Sequence, residues 1–286
     1  MKRGSWWGLV LAIGMFVVTG LASAQESVGV VETGDLRNQV VGSMRLTGTL
    51  AIGADGKITG YAIDHSEKVP PEVLRHVARY VPRWRVVKKD GGAGNKRFSV
   101  RVMATPRGDG YFALSLVGAS IMEKQRPEEA VVADGRLRRP QYPRSLGHIG
   151  VSGTVYVVAK VGRDGEVEDL VTEQVNLNFV GSPAEVAKAR ADFAAHTAAA
   201  VRQWKFRFPK VGPLAGQPYL VVRVPMVYVT KWPGYAEWEY YVPGPRRAVP
   251  WVQQEDGMAL GAGEAGVPQV LGMGPRMETS LEPPAG

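Results

Sequence analysis

Along the second half of the chain the apolar positions change period twice. Gly153 to Val161 is dense in β-branched and aromatic residues and reads as a strand. Gly162-Arg163-Asp164-Gly165 is a tight-turn sequence whose glycines accept positive φ. Glu166 to Val175 returns as a second strand, with Val167, Leu170 and Val171 on its apolar side. The period then becomes helical. Ser182-Pro183-Ala184-Glu185 has the form of a capping box with proline at the first helical position. Behind it Val186, Phe193, Ala200, Val201 and Trp204 recur on one stripe, and Pro209 and Gly212 end the segment. Tyr219 to Val229 is a last long strand. Pro225 inside it has no amide to donate, which places this strand at a sheet edge or a bulge. The order β-β-α-β predicts an α+β fold with one helix packed on an antiparallel sheet.

The first half carries the same pattern in a worn form. Met44 to Ile52 and Lys57 to Ile63 read as strands around the turn Gly53-Ala54-Asp55-Gly56. Pro71 opens a shorter helix with Val73, Val77 and Val81 inward, and Phe98 to Met103 is the late strand. The Asp-Gly turns lie 109 residues apart, Trp84 and Trp204 120, and the Arg-Val pairs at Arg101 and Arg223 122. That slow drift needs only small insertions in loops, where insertions are tolerated, so the halves read as a diverged duplication. Tyr111 to Ile121 is one more strand of the first module. The expected organisation is a module over 41–122, a charged linker over 123–139 and a second module over 140–230.

Both ends differ from this body. Lys2 and Arg3, the uncharged run Trp6 to Ala22, and Ala22-Ser23-Ala24 before Gln25 have the layout of a secretory signal peptide over residues 1–24. The expected location is therefore the periplasm, with an inner-membrane anchor if the leader stays uncleaved and no membrane span once it is removed. From Lys231 to Gly286, Gly and Pro supply 17 of 56 residues, so 231–286 reads as a largely disordered tail without a core of its own. Aromatic residues from Trp232 to Trp251 cluster at its start, suited to docking on the second module. The chain has no cysteine, so no disulfide staples it. Its net charge of +8 falls to +6 without Lys2 and Arg3. A basic surface favours acidic envelope partners, such as proteins, peptidoglycan or lipopolysaccharide, and an exported chain meets no nucleic acid.

Pro140-Gln141-Tyr142-Pro143, the Gly153-Thr154-Val155 strand start, Asp164-Gly165 and Ala200-Val201-Arg202-Gln203-Trp204-Lys205-Phe206 follow one another in a specific order. Together with Pro209, Gly216 and the final valine-rich strand, they resemble the TonB C-terminal domain family. The resemblance spans Pro140 to about Thr230. It implies two tandem TonB C-terminal-like modules, the first a diverged copy without the Tyr-Pro element. In that family the domain grips an extended segment of outer-membrane transporters. By resemblance, a partner strand would lie against Gln141, Tyr142 and Pro143 and along the rim carrying Tyr219, Val221, Arg223, Pro225 and Val227. Two features depart from the family's transducers: the apolar run has no histidine, and no long Pro-Glu/Pro-Lys spacer follows it.

Catalytic and metal constellations are missing from the sequence. His65, His76, His148 and His196 have no metal-ligand spacing, and there is no nucleophile elbow, phosphate loop or dinucleotide fingerprint. The expectation is no enzyme, no cofactor and no metal. Two readings compete. One is a periplasmic protein-binding module that takes partner strands, including those of TonB-dependent outer-membrane receptors, by β-augmentation. The other is an envelope scaffold whose two modules pack on each other and use up their own rims. A second copy of the chain is a further candidate partner.

Overall fold

The computed structural model describes residues 38–87, 93–122, 127–147, 150–229, 231–252, 267–271 and 276–283. The expected signal peptide and His148 lie outside these residues. The described chain is mixed α+β, mostly antiparallel sheet with few helices. Strands β1 (Val41–Ile52) and β2 (Ile58–Ile63) form a hairpin, followed by α1 (Pro71–Tyr80), β3 (Val86–Val87), β4 (Gly94–Gly108) and β5 (Tyr111–Met122). Then come β6 (Val132–Ala133), α2 (Arg144–Gly147), the hairpin β7 (Gly153–Val161) and β8 (Val167–Leu177), α3 (Pro183–Val201), β9 (Phe206–Arg207) and β10 (Leu220–Tyr228). The C-terminal segment supplies β11 (Glu239–Tyr241), β12 (Gln269–Val270) and β13 (Arg276–Met277).

Two larger sheets organise the molecule. One runs β11-β1-β4-β5 with β2 also on β1, and the other runs β12-β10-β7-β8. Alternation of side chains along each strand gives every sheet two faces. In the first sheet Met44, Leu46, Leu50, Phe98 and Val100 turn to α1, where Val73 and Val77 meet them. In the second, Val155, Val157, Ala159, Val222 and Val224 turn to α3 and Phe193. Burying each of these side chains other than Ala159 stabilises by about 1.5–3 kcal/mol.

Helix α3 begins as its sequence predicts. The Ser182 hydroxyl accepts from the Glu185 amide at 3.3 Å, and the Glu185 carboxylate accepts from the Ser182 amide at 2.8 Å. Its buried face runs through Val186, Ala189, Phe193, Thr197, Ala198 and Val201, so Ala200 lies off the stripe that its spacing suggested. Thr197 fits because its hydroxyl donates to the Phe193 carbonyl at 2.8 Å and bonds the Tyr228 hydroxyl at 2.8 Å.

The same contacts recur in the two halves. Asp55 accepts from the Lys57 amide at 3.1 Å and Asp164 from the Glu166 amide at 3.0 Å. The carbonyl of Gly56 accepts from Val86 N–H at 2.9 Å, and that of Gly165 from Phe206 N–H at 2.8 Å. Trp84 and Trp204 are both buried, and each donates its indole N–H to a backbone carbonyl. Trp204 reaches Arg138 at 2.9 Å and Trp84 reaches Leu281 at 2.8 Å. The arm that meets each tryptophan also pairs with the short strand beyond it, β6 with β9 and β13 with β3. Residues 132–138 thus do for the second half what residues 276–281, from the opposite end of the chain, do for the first.

Two expectations need correction here. The segment 123–139 is not only a linker, because from residue 127 onward its described part is built into the second half. Beyond β6, the Glu128 carbonyl accepts from Lys210 N–H at 2.7 Å and Asp134 N–H donates to Lys205 O at 2.8 Å. The reading of 231–286 as a largely disordered tail fails for its described parts, which add β11 to β1, β12 to β10 and β13 to β3. Strands of two or three residues need no core of their own when an existing sheet supplies the partner, so composition alone misses them.

Candidate functional site

The predicted partner-binding residues fall into two groups. Gln141 is exposed, but Pro143 is buried and Tyr142 is half-buried. The Tyr142 ring packs edge-on against Phe193 and Tyr228, and its hydroxyl donates to the Val151 carbonyl at 2.5 Å. Burial pushes the Tyr142 phenol up from its ordinary pKa. These contacts make the Tyr-Pro element part of the core around α3, with Gln141 as its exposed member.

The other group lies on β10 or just before it, and here the expected open rim from Tyr219 to Tyr228 needs correction. β12 pairs with its first half, Val222 opposite Val270 and Arg223 opposite Gln269, and the Val221 carbonyl accepts from Leu271 N–H at 2.8 Å. Tyr219 precedes the strand and carries the Lys160 ammonium 4.8 Å above its ring. The Arg223 side chain is buried and ion-paired with Glu173, so it serves the sheet interior rather than a partner. Pro225 and Val227 lie beyond the reach of β12, which accords with the missing donor of Pro225.

Other rims are covered as well. β1 carries β4 on one side, with β2 and β11 sharing the other. At the end of β8, Leu177 exchanges two backbone bonds with Val242, at 3.1 and 2.8 Å, and the Glu173 carbonyl accepts from Arg247 N–H at 2.8 Å. Residues 239–247 therefore touch both sheets.

The sheet faces turned away from the helices share one cleft of about 750 Å³, closed at one side by residues 231–241. Arg45 and Arg101 line it from the first sheet, and Tyr156, Asn176 and Val227 from the second. Burial raises the Tyr156 phenol to about 12 and pushes Tyr241 up as well. Arg101 donates to the Ser43 hydroxyl at 2.8 Å. Sequence reasoning missed this cleft, because its walls come from strands far apart in the chain. Two features did point toward it: Arg101, the last marker of the repeat, and the aromatic cluster after Lys231.

Among the described residues no group of three or more His, Cys, Asp or Glu side chains could hold a metal ion. His65 and His196 are exposed, and His76 bonds the Glu282 carboxylate at 2.7 Å. Nor is any helix among the described residues long and apolar enough to cross a membrane. No family model, curated protein or solved structure matches the chain.

Proposed function

We propose that the chain is an exported, non-catalytic scaffold of the bacterial envelope, a diverged duplication of a TonB C-terminal-like unit. In this reading its two modules are held closed by the C-terminal segment and work in the periplasm. The observation that carries it is the return of that segment to strands of both halves, at β1, β3, β8 and β10. A rim whose N–H and C=O groups already have partners offers no template to a foreign strand. Hydrogen exchange on the free protein tests it. Slow exchange along β1 and at residues 221–223 is expected, and fast exchange there would sink the scaffold reading.

A second reading has its own support: β12 covers only Val222 and Arg223, and the rim from Val224 to Tyr228 has no strand beside it among the described residues. A partner strand, such as the extended segment of a TonB-dependent receptor, would add there by β-augmentation. Titration with transporter-plug peptides should then shift amide resonances at residues 224–228, and no shift with any peptide would remove this reading.

A further inference from the structure

The cleft between the two sheets sets two like charges side by side. Arg45 and Arg101 are direct cross-strand partners on β1 and β4, and both line the cleft. Like charges placed directly opposite on one sheet face destabilise the pair. Arg101 donates to Ser43 among its contacts, whereas the Arg45 side chain makes no hydrogen bond or ion pair with a described residue. Lys231 adds a third cation to the wall. A bound anion would relieve this repulsion, and the planar guanidinium fork of Arg45 matches a carboxylate.

The mouth of the cleft says what should carry the anion. Trp232 and Tyr240 both line it, and both are 57% exposed. Large rings left in solvent beside a concave surface mark a binding site. A pyranose presents C–H bonds of partial positive charge on its flat face, and these settle on the negative face of an aromatic ring. Asn176 uses its Oδ1 to accept from Gly244 N–H at 3.1 Å, which leaves its two N–H donors for a sugar hydroxyl or carbonyl. Glu239 also lines the cleft and can accept from hydroxyls. Its charge, with that of Glu237, counts against a polyanion and for a single acidic group on an otherwise neutral ring. The volume of about 750 Å³ suits one or two sugar rings.

We propose that this inter-sheet cleft binds a carboxylate-bearing sugar, with Arg45 on the carboxylate and Trp232 and Tyr240 against the ring. Any chain with this cleft would carry the site, whether or not its strand rims accept a partner. The site therefore stands apart from the scaffold reading.

The test is a titration of the full chain, followed by tryptophan fluorescence and amide NMR. The acidic probes are N-acetylmuramic acid and glucuronic acid. Their neutral counterparts are N-acetylglucosamine and glucose, and acetate stands for the carboxylate alone. Millimolar or tighter binding is expected for both acids, with shifts at residues 45, 176 and 240. The neutral sugars should bind about tenfold or more weakly, the size of one lost charge-assisted bond. Arg45→Gln should cost the acids about tenfold while leaving the neutral sugars unchanged, and Trp232→Ala should weaken all four. Circular dichroism and melting of each variant report whether the fold survives. Equal binding of acidic and neutral sugars, acetate binding as well as the acids, or an unchanged affinity in a folded Arg45→Gln variant would each overturn the proposal.

Discussion

Arg223 Nε lies 2.8 Å from Glu173 Oε2, and both side chains are 3% exposed. The two residues sit on β10 and β8, which are not neighbours; the pair spans β7, where Val158 lies opposite Arg223. Arg246 adds a second guanidinium, 2.7 Å from the other carboxylate oxygen. One buried carboxylate thus ties three segments distant in sequence.

Removing one member of a buried pair leaves an uncompensated charge, which costs about 3–5 kcal/mol. Glu173→Leu takes the carboxylate from both guanidiniums and should lower stability by that order in urea unfolding, whereas Arg223→Met leaves Glu173 paired with Arg246 and should cost less. The double variant should lose clearly less than the sum, because the cation it leaves, Arg246, is half exposed rather than buried. Additive losses would mean that the pair is not coupled.

The turns that open the second strand of each hairpin make a sharper comparison. Gly56 and Gly165 have φ of +81° and +82°, and a Cβ on either would collide with a carbonyl oxygen, that of Val86 or of Phe206. Gly135 has a similar φ of +85° but open space around it. Gly135→Ala should therefore cost only the left-handed backbone penalty, about 1 kcal/mol. Gly56→Ala and Gly165→Ala should cost about 2 kcal/mol or more, since the β3 or β9 contact must also shift. Thermal melting of the three variants checks the ranking.

These positions also show what the sequence made legible. The hairpins, helices α1 and α3 and the Asp-Gly turns follow from local period and turn chemistry, which short windows contain. The buried Val73, Val77, Phe193 and Trp204 follow from the same stripes. Arg223 was misread because an arginine on a strand looks like a rim residue until its partner, fifty positions away on β8, is known. The arm of residues 276–281 was hidden for a different reason. Apart from the Trp84 indole, its hydrogen bonds are to the backbone of residues 85–87, and backbone partners leave no mark on side chains. The inter-sheet cleft was unreadable for the same non-local reason, although both its arginine and its aromatic residues stood out singly.

Asp64 gives the stability a pH dependence of known sign. Hydrogen bonds from Arg97 and then Thr47 hold its pKa at about 2, below the ordinary value near 3.8. A depressed folded pKa contributes stability that is complete above the unfolded value and fades as pH falls toward the folded one. The contribution should therefore be present above about pH 5 and lost between about pH 4 and 2. The pair is partly exposed, so its worth is about 1 kcal/mol or less. Asp64→Asn should flatten the acid limb of stability against pH in that window and leave the neutral limb shifted by a constant amount. An unchanged acid limb would show that Asp64 titrates alike in both states.

Deleting residues 276–286 tests the matched arms directly. The deletion removes the Leu281 carbonyl from the Trp84 indole, the Thr279 hydroxyl from Arg85 N–H at 3.1 Å, and the Glu278 N–H from the Arg85 carbonyl at 2.8 Å. It also removes the Glu282 carboxylate from His76 and from Leu116 N–H, both at 2.7 Å. Leaving a buried donor such as the Trp84 indole unpaired costs about 1–3 kcal/mol. The second half keeps its own arm, residues 132–138, so Trp204 still has the Arg138 carbonyl. The truncated protein should therefore exchange amides faster at residues 84–87 while residues 204–207 stay protected, and Trp84 should show a red-shifted, solvent-exposed emission. Trp204→Phe in the full chain is the converse variant, loosening residues 204–207 alone. Equal loss of protection in both halves on truncation would mean that the arm closes the whole molecule rather than the first half.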